Sequence, residues 1–238
     1  MNELDTTPQR LDDPSVPEMN LYFFFKSIAD SVDELQHEIL EHLVAAGTKR
    51  GWFPDLESVI ARFTEHEPAP KVRAAVAKLQ RQRLLVITDG AIDTLIGGIT
   101  HRKTAFRAMT AEDNVPFHLN SALDALTIAP TLQRTTTVTS VCGLTGKDIS
   151  ITVAADGSLD ATTPQTVTAF IGGWDGICPL REAPVARSHF FLSDVELNEW
   201  QTLHGDPDGM PLTQDTIRLV GTEMAGALAA LYVRMSVR

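Results

Sequence analysis

Leu84-Leu85-Val86-Ile87-Thr88-Asp89-Gly90-Ala91-Ile92-Asp93-Thr94-Leu95-Ile96 is the stretch whose reading decides the first half of the fold. Leu84 to Ile87 is apolar and β-branched. Asp89-Gly90 is the dipeptide that a two-residue hairpin turn favours, and Ala91 to Ile96 returns as a second strand. Working back toward the N-terminus, three helical periodicities precede this hairpin. Pro70 to Arg83 reads as the nearest of them and turns Val72, Ala75, Val76 and Leu79 inward. A shorter helix with Val59, Ile60 and Phe63 on its apolar face stops before Pro68. Residues 32 to 46 place Val32, Leu35, Ile39, Leu43 and Ala46 at steps of three or four, with Gly47 as the expected stop. Three helices and a hairpin outline a winged-helix unit, expected over residues 21–104. Residues 1–20 hold five acids, one Arg and three prolines without periodicity, and read as a flexible acidic tail. Leu21 to Phe25 is an apolar run that docks the start of the fold onto the core.

Working forward, the pattern changes near residues 104–110, where a domain boundary is expected. Thr104 to Met109 reads as a strand, and Pro116 as the start of a helix that Pro130 ends. Arg134 to Cys142 and Asp148 to Ala154 alternate like paired strands around Gly143-Leu144-Thr145-Gly146-Lys147. Val167 to Ile171 and Ser188 to Leu192 are further strands. Ser193, with Glu196 three residues on, caps a helix, and a last Ala- and Leu-rich helix runs from Thr213 to about Met235. The fold class is α+β, with a mixed α+β unit over residues 105–238.

The 238 residues are 43% hydrophobic and 21% charged, as in ordinary globular proteins. Two cysteines, Cys142 and Cys178, exclude a disulfide framework. No apolar run reaches the ~20 residues of a membrane helix. The acidic N-terminus lacks the basic region of a secretory signal. A cytoplasmic protein without membrane partners is therefore expected. The net charge of −11 argues against nucleic acid as a partner. Against that, Lys71 to Arg107 carries +6, which leaves −17 on the remainder. This segment gives a ligand-responsive DNA-binding regulator a motive, although the same basic residues also read as a solvated helix face.

Several residues could carry chemistry. His118, Ser121 and Asp124 are three apart, so on one helix neighbours in the series share a face. A hydroxyl, an imidazole and a carboxylate together can do acid–base work, although spacing alone is more simply a solvated polar stripe. His189 lies in a buried-looking strand, with Arg187 on its face two residues back. Cys178 sits in a Gly-rich loop. Cys142, before a tight turn, reads as a small buried apolar residue.

The C-terminal half resembles the alkylmercury (organomercurial) lyase family. Ser121-Ala122-Leu123-Asp124-Ala125-Leu126 is similar to the family's Cys-Ala-Leu-Asp helix. Ser140-Val141-Cys142-Gly143-Leu144-Thr145-Gly146 is similar to its Cys-ending strand and Thr-Gly turn. Ser150-Ile151-Thr152-Val153 resembles the returning strand, and His189-Phe190-Phe191, with Trp200 and His204 beyond, the last strand and helix. The resemblance covers roughly residues 32 to 235, and the family's architecture agrees with a winged-helix start. It implies cleavage of a carbon–mercury bond by two mercury-binding thiolates and a proton-donating aspartate. Here the aspartate is Asp124, Ser121 occupies the first thiolate position, and the second falls near Ala186. Cys142 resembles a third, structural family cysteine.

A hydroxyl is hard and protonated at neutral pH, whereas mercury prefers thiolate sulfur. The expected function is therefore a lyase-like enzyme acting on a small non-mercurial substrate. Asp124 and Ser121 would be catalytic, with His118, Arg187, His189 and Cys178 binding substrate. No cofactor and no catalytic metal is implied. The alternative is a non-catalytic protein that binds a small molecule or a borderline metal. The last helix is the one evident surface for a homodimer.

Overall fold

The computed structural model describes residues 31–82, 84–95, 98–172, 188–205, 209–213 and 215–217. The tail, the Leu21 to Phe25 run, Cys178, Arg187 and the last helix beyond residue 217 lie outside them.

Helix α1, Glu34–Arg50, is opened by Asp33, whose carboxylate accepts the Gln36 N–H while the Gln36 side chain accepts the Asp33 N–H. It buries Leu35, Ile39, Leu40 and Leu43. Gly47 does not end it. The helix runs one turn further, to Gly51, whose left-handed φ of 73° lets its N–H cap the Gly47 carbonyl. Gly47 serves packing instead: a β-carbon there would lie 2.7 Å from the Phe53 ring and 3.0 Å from Ile99. Helix α2, Leu56–Thr64, is capped by Asp55. Helix α3, Ala69–Arg81, carries a proline in its first turn and buries Val72, Ala75, Val76 and Leu79 as the period requires. Each fully buried large aliphatic side chain contributes about 1.5–3 kcal/mol.

The hairpin follows as β1, Leu85–Thr88, and β2, Ala91–Leu95. Asp89 and Gly90 both have positive φ, 52° and 79°, as a twist-matched two-residue turn demands. These strands begin a sheet completed by β3 (Ile99–Thr100), β4 (Phe106–Thr110), β5 (Phe117–Leu119), β6 (Thr136–Val141), β7 (Asp148–Val153) and β8 (Leu159–Thr163). The order is β1-β2-β3-β5-β4-β6-β7-β8, and every ladder is antiparallel. The β3–β5 pairing carries the sheet across the boundary expected near residues 104–110, and one apolar core runs from α1 to Ile217.

A second sheet, β10-β9-β11, is formed by β9 (Thr168–Gly172), β10 (His189–Phe191) and β11 (Gly209–Leu212). The Gly143 N–H donates to the Phe190 carbonyl at 2.8 Å and joins this sheet to the first. A β-carbon on Gly143 would come within 2.9 Å of the His189 Cβ, so the junction needs glycine. Helix α5, Asp194–Leu203, has Ser193 as its N-cap.

Helix α4, Ala122–Leu132, departs from expectation at both ends. Phe117 to Leu119 is strand, held between β3 and β4, and the helix begins only after Ser121. Pro130 lies inside the helix, which ends at Gln133 in the left-handed region. A proline so near the C-terminus forfeits a single backbone bond.

Candidate functional site

The N-terminus of α4 holds two of the expected site residues, Ser121 and Asp124. Ser121 is its N-cap, with extended backbone (φ −154°, ψ 171°), and is fully buried. Its hydroxyl accepts the Asp124 N–H at 3.2 Å and donates to Asp124 Oδ2 at 2.7 Å. The Ser-x-x-Asp spacing thus ties cap and carboxylate together in both directions.

Asp124 is roofed by backbone. Gly98, at φ 78°, lies so close that a β-carbon on it would be 2.0 Å from the Asp124 Cγ and 2.4 Å from Oδ1. The Gly98 carbonyl accepts two hydrogen bonds from Asn120, one from its backbone N–H and one from its side-chain amide, both 3.1 Å. The Gly98 N–H donates to Leu95. Burial pushes the Asp124 carboxyl up to about 6, while hydrogen bonds from the Ser121 side chain and from Ser121 and Asn120 backbone groups pull the other way. Such a carboxyl exchanges a proton near neutral pH at little cost.

On its other side, the start of α4 meets β10. The Ala122 N–H points to the Ser188 carbonyl at 3.4 Å, and the buried Ser188 hydroxyl accepts the Gly172 N–H at 3.1 Å. The start of α4 thus meets the residue before β10 through one backbone contact.

Of the expected site residues, the structure brings Ser121 and Asp124 into direct contact. His118 is not on their helix: it lies on β5, opposite Thr100 and Arg107, and its Nδ1 accepts the Thr104 N–H at 3.4 Å. The spacing argument that placed it on one face with Ser121 fails because Phe117 and Leu119 are claimed by the sheet. His189 packs edge-on against Trp200, 5.6 Å between ring centroids, and against Gly143. Arg187 and Cys178 lie outside the described residues. Cys142 is buried, as expected; burial pushes its thiol up, but the Thr145 hydroxyl and backbone groups of Thr145, Leu144 and Leu192 outweigh this and hold it below the usual value. Among the described residues no group of three His, Cys, Asp or Glu side chains is arranged to hold a metal ion, and none of the helices is long and apolar enough to cross a membrane.

Gly98 and Asn120 were absent from the sequence-derived site. Nothing in the local sequence joins Gly98 to a helix more than twenty residues away. The Ser121-x-x-Asp124 box did carry the signal that Ser121 starts the helix, and Asn120 is then its immediate neighbour.

The fold is shared with the mercury-bound form of MerB2, whose crystal structure superimposes with a TM-score of 0.68 at 19% identity, over 87% of this chain and 98% of that one. The family model for alkylmercury lyase (MerB) matches residues 99–226, more than half of the sequence and a span that includes Ser121, Asp124 and both cysteines. The chain belongs to the alkylmercury lyase family.

Proposed function

We propose that this protein is a proton-transfer enzyme of the lyase type whose substrate is a small non-mercurial molecule, with Asp124 as proton donor or acceptor. The observation that carries this reading is the half-buried, Ser121-bonded Asp124 carboxyl, pushed up to about 6. Cleavage that leaves charge on carbon needs an acid within reach, and an aspartate titrating close to neutrality supplies one. Ser121 fixes the carboxylate rotamer. Its hydroxyl donates to Oδ2 and accepts the Asp124 N–H, and a hydroxyl bonded in this way to a carboxylate base is also placed to be activated for attack on a substrate. His118, Arg187, His189 and Cys178 remain the substrate-binding candidates.

The residue types argue against mercury. Ser121 stands at the first thiolate position, and Cys142 and Cys178 are the only sulfhydryls in the chain. Protonated oxygen is a weak ligand for a soft ion. The three helices and hairpin, read as a winged-helix unit, serve in this proposal as structural support within a cytoplasmic enzyme.

The test is proton exchange. The protein is incubated in deuterated water with a panel of small carbon acids and carboxylates, and deuterium uptake at carbon is followed by NMR. Uptake that is abolished in Asp124→Asn supports the reading. Release of inorganic mercury from an organomercurial by the wild-type protein, dependent on its cysteines, overturns it in favour of the mercury chemistry.

A further inference from the structure

Asp93 is the anomaly of the hairpin. It lies on β2 in a run of buried residues and is only 1% exposed. A buried carboxylate is costly unless it is paired and hydrogen-bonded. Here the pairing is a fork: Arg102 Nε reaches Oδ1 at 2.6 Å and a terminal guanidinium nitrogen reaches Oδ2 at 2.5 Å, with His101 Nδ1 3.5 Å from Oδ1. The Asp93 backbone carbonyl accepts the Thr100 hydroxyl at 2.9 Å and the His101 N–H at 3.3 Å. Thr100 in turn accepts the Arg102 N–H at 3.2 Å and the Thr94 hydroxyl at 3.3 Å.

These bonds hold β3, which is just two residues long, and the two residues that follow it, His101 and Arg102. Such a strand has little ladder of its own: one residue pair to β2 and two to β5. Yet the residue immediately before it is Gly98, whose backbone touches the Asp124 carboxyl.

We infer that Asp93 and Arg102 are positioning residues: their ion pair clamps β3 and the residues after it so that the Gly98 backbone stays seated against the Asp124 carboxyl. A simpler apolar residue at position 93 would fill β2 but would not fix the Thr100–Arg102 segment. Asn120 completes the seat from below through its two bonds to the Gly98 carbonyl. Gly98 needs this external hold because it offers no side chain to pack.

This inference rests on the reading of Asp124 as the proton carrier only for its purpose. Its test reads the resting protein rather than turnover, so the two can fail separately. The probes are amide hydrogen exchange at Gly98 and Asn120, both of whose N–H groups are hydrogen-bonded, and the NMR titration of the Asp124 carboxyl carbon, identified by its loss in Asp124→Asn. Arg102 is half-exposed, so Arg102→Gln keeps its stem and removes the charge and fork. The expected result is exchange at Gly98 and Asn120 faster by about tenfold or more, with β6 and β7 unchanged. The Asp124 midpoint moves down toward the ordinary carboxylate range, and Arg102→Lys restores much of both. Asp93→Asn, which conserves shape, is the second variant and should reproduce the Gln result. Unchanged exchange and midpoint in a folded variant overturn the inference. So does loosening spread evenly over β6 and β7, or global unfolding of both variants, since the pair would then serve the fold as a whole.

Discussion

The Gly98 backbone and the Asp124 carboxyl are in such close contact that a β-carbon on Gly98 would lie 2.0 Å from the Asp124 Cγ. One residue before a two-residue strand thus covers the third residue of a helix that begins more than twenty positions later. Gly98 also holds a φ of 78°, so its lack of a side chain is required twice, by conformation and by space.

Gly98→Ala should therefore displace Asp124 as well as strain the backbone. Neither neighbour is the free end of a long side chain, and relief requires the helix start or the turn to move. A destabilisation of about 1–3 kcal/mol is expected, read as a lower thermal midpoint. The Asp124 titration should shift in the same variant. A fully stable variant with an unmoved Asp124 titration would contradict the contact.

Asp124 also makes stability depend on pH in a defined sense. Its carboxyl is raised in the folded protein, mainly by burial, from 3.8 to about 6. The folded state therefore binds the proton more tightly than the unfolded state between those values. The protonated group's contribution is fully present below about pH 4, declines as pH rises to about 6, and levels off above. The difference in unfolding free energy between wild type and Asp124→Asn should fall across that window by on the order of 2–3 kcal/mol. Denaturant titrations of both proteins from pH 4 to 7.5 measure it. A difference that is flat, or that rises with pH, would show that burial does not dominate at this carboxyl.

Ser121→Ala separates the two roles of the serine. Loss of the N-cap should cost about 1 kcal/mol. Because the Ser121 hydroxyl's hydrogen bond lowers the Asp124 value, its removal should push the carboxyl higher still, extending its protonated range toward neutral pH. Carboxyl-carbon NMR reads the shift directly. A downward shift would mean that water takes the hydroxyl's place.

How much of this was legible in the sequence depends on the range of the interaction. The Asp89-Gly90 hairpin and the inward Val72, Ala75, Val76 and Leu79 are local matters, set by turn conformation and helical period, and they stand as read. Ser121 and Asp124 came from the family resemblance and from spacing, and they do touch. The errors arose where tertiary structure overrode a local signal. Gly47 looks like a helix stop but makes room for Phe53 and Ile99. Phe117, His118 and Leu119 follow a proline and look like a first helical turn, but β3 and β4 claim them as strand. The exposed edge strand β8, Leu159–Thr163, buries too little to show an alternating pattern. The roof over Asp124 and the Asp93 clamp are long-range and have no one-dimensional signature.

The basic segment from Lys71 to Arg107 leads to the last expectation, that the helices and hairpin do not read DNA. Three of the four positive charges of α3, Lys71, Arg73 and Lys78, are paired with acids of this same protein. Lys71 Nζ is 2.7 Å from Glu67, Arg73 meets both oxygens of Glu57 at 3.1 and 2.9 Å, and Lys78 lies 3.4 Å from Asp33. To bind phosphate these side chains would have to exchange one anion for another, which removes much of the gain from counterion release. The whole molecule carries −11, so its long-range field repels a polyanion. At near-physiological salt, fluorescence anisotropy with random duplexes should show no binding above background, and Arg73→Ala with Lys78→Ala should change nothing. Sequence-selective binding that weakens in that double variant would instead assign the hairpin and α3 to the DNA grooves and make the lyase-like half a ligand sensor.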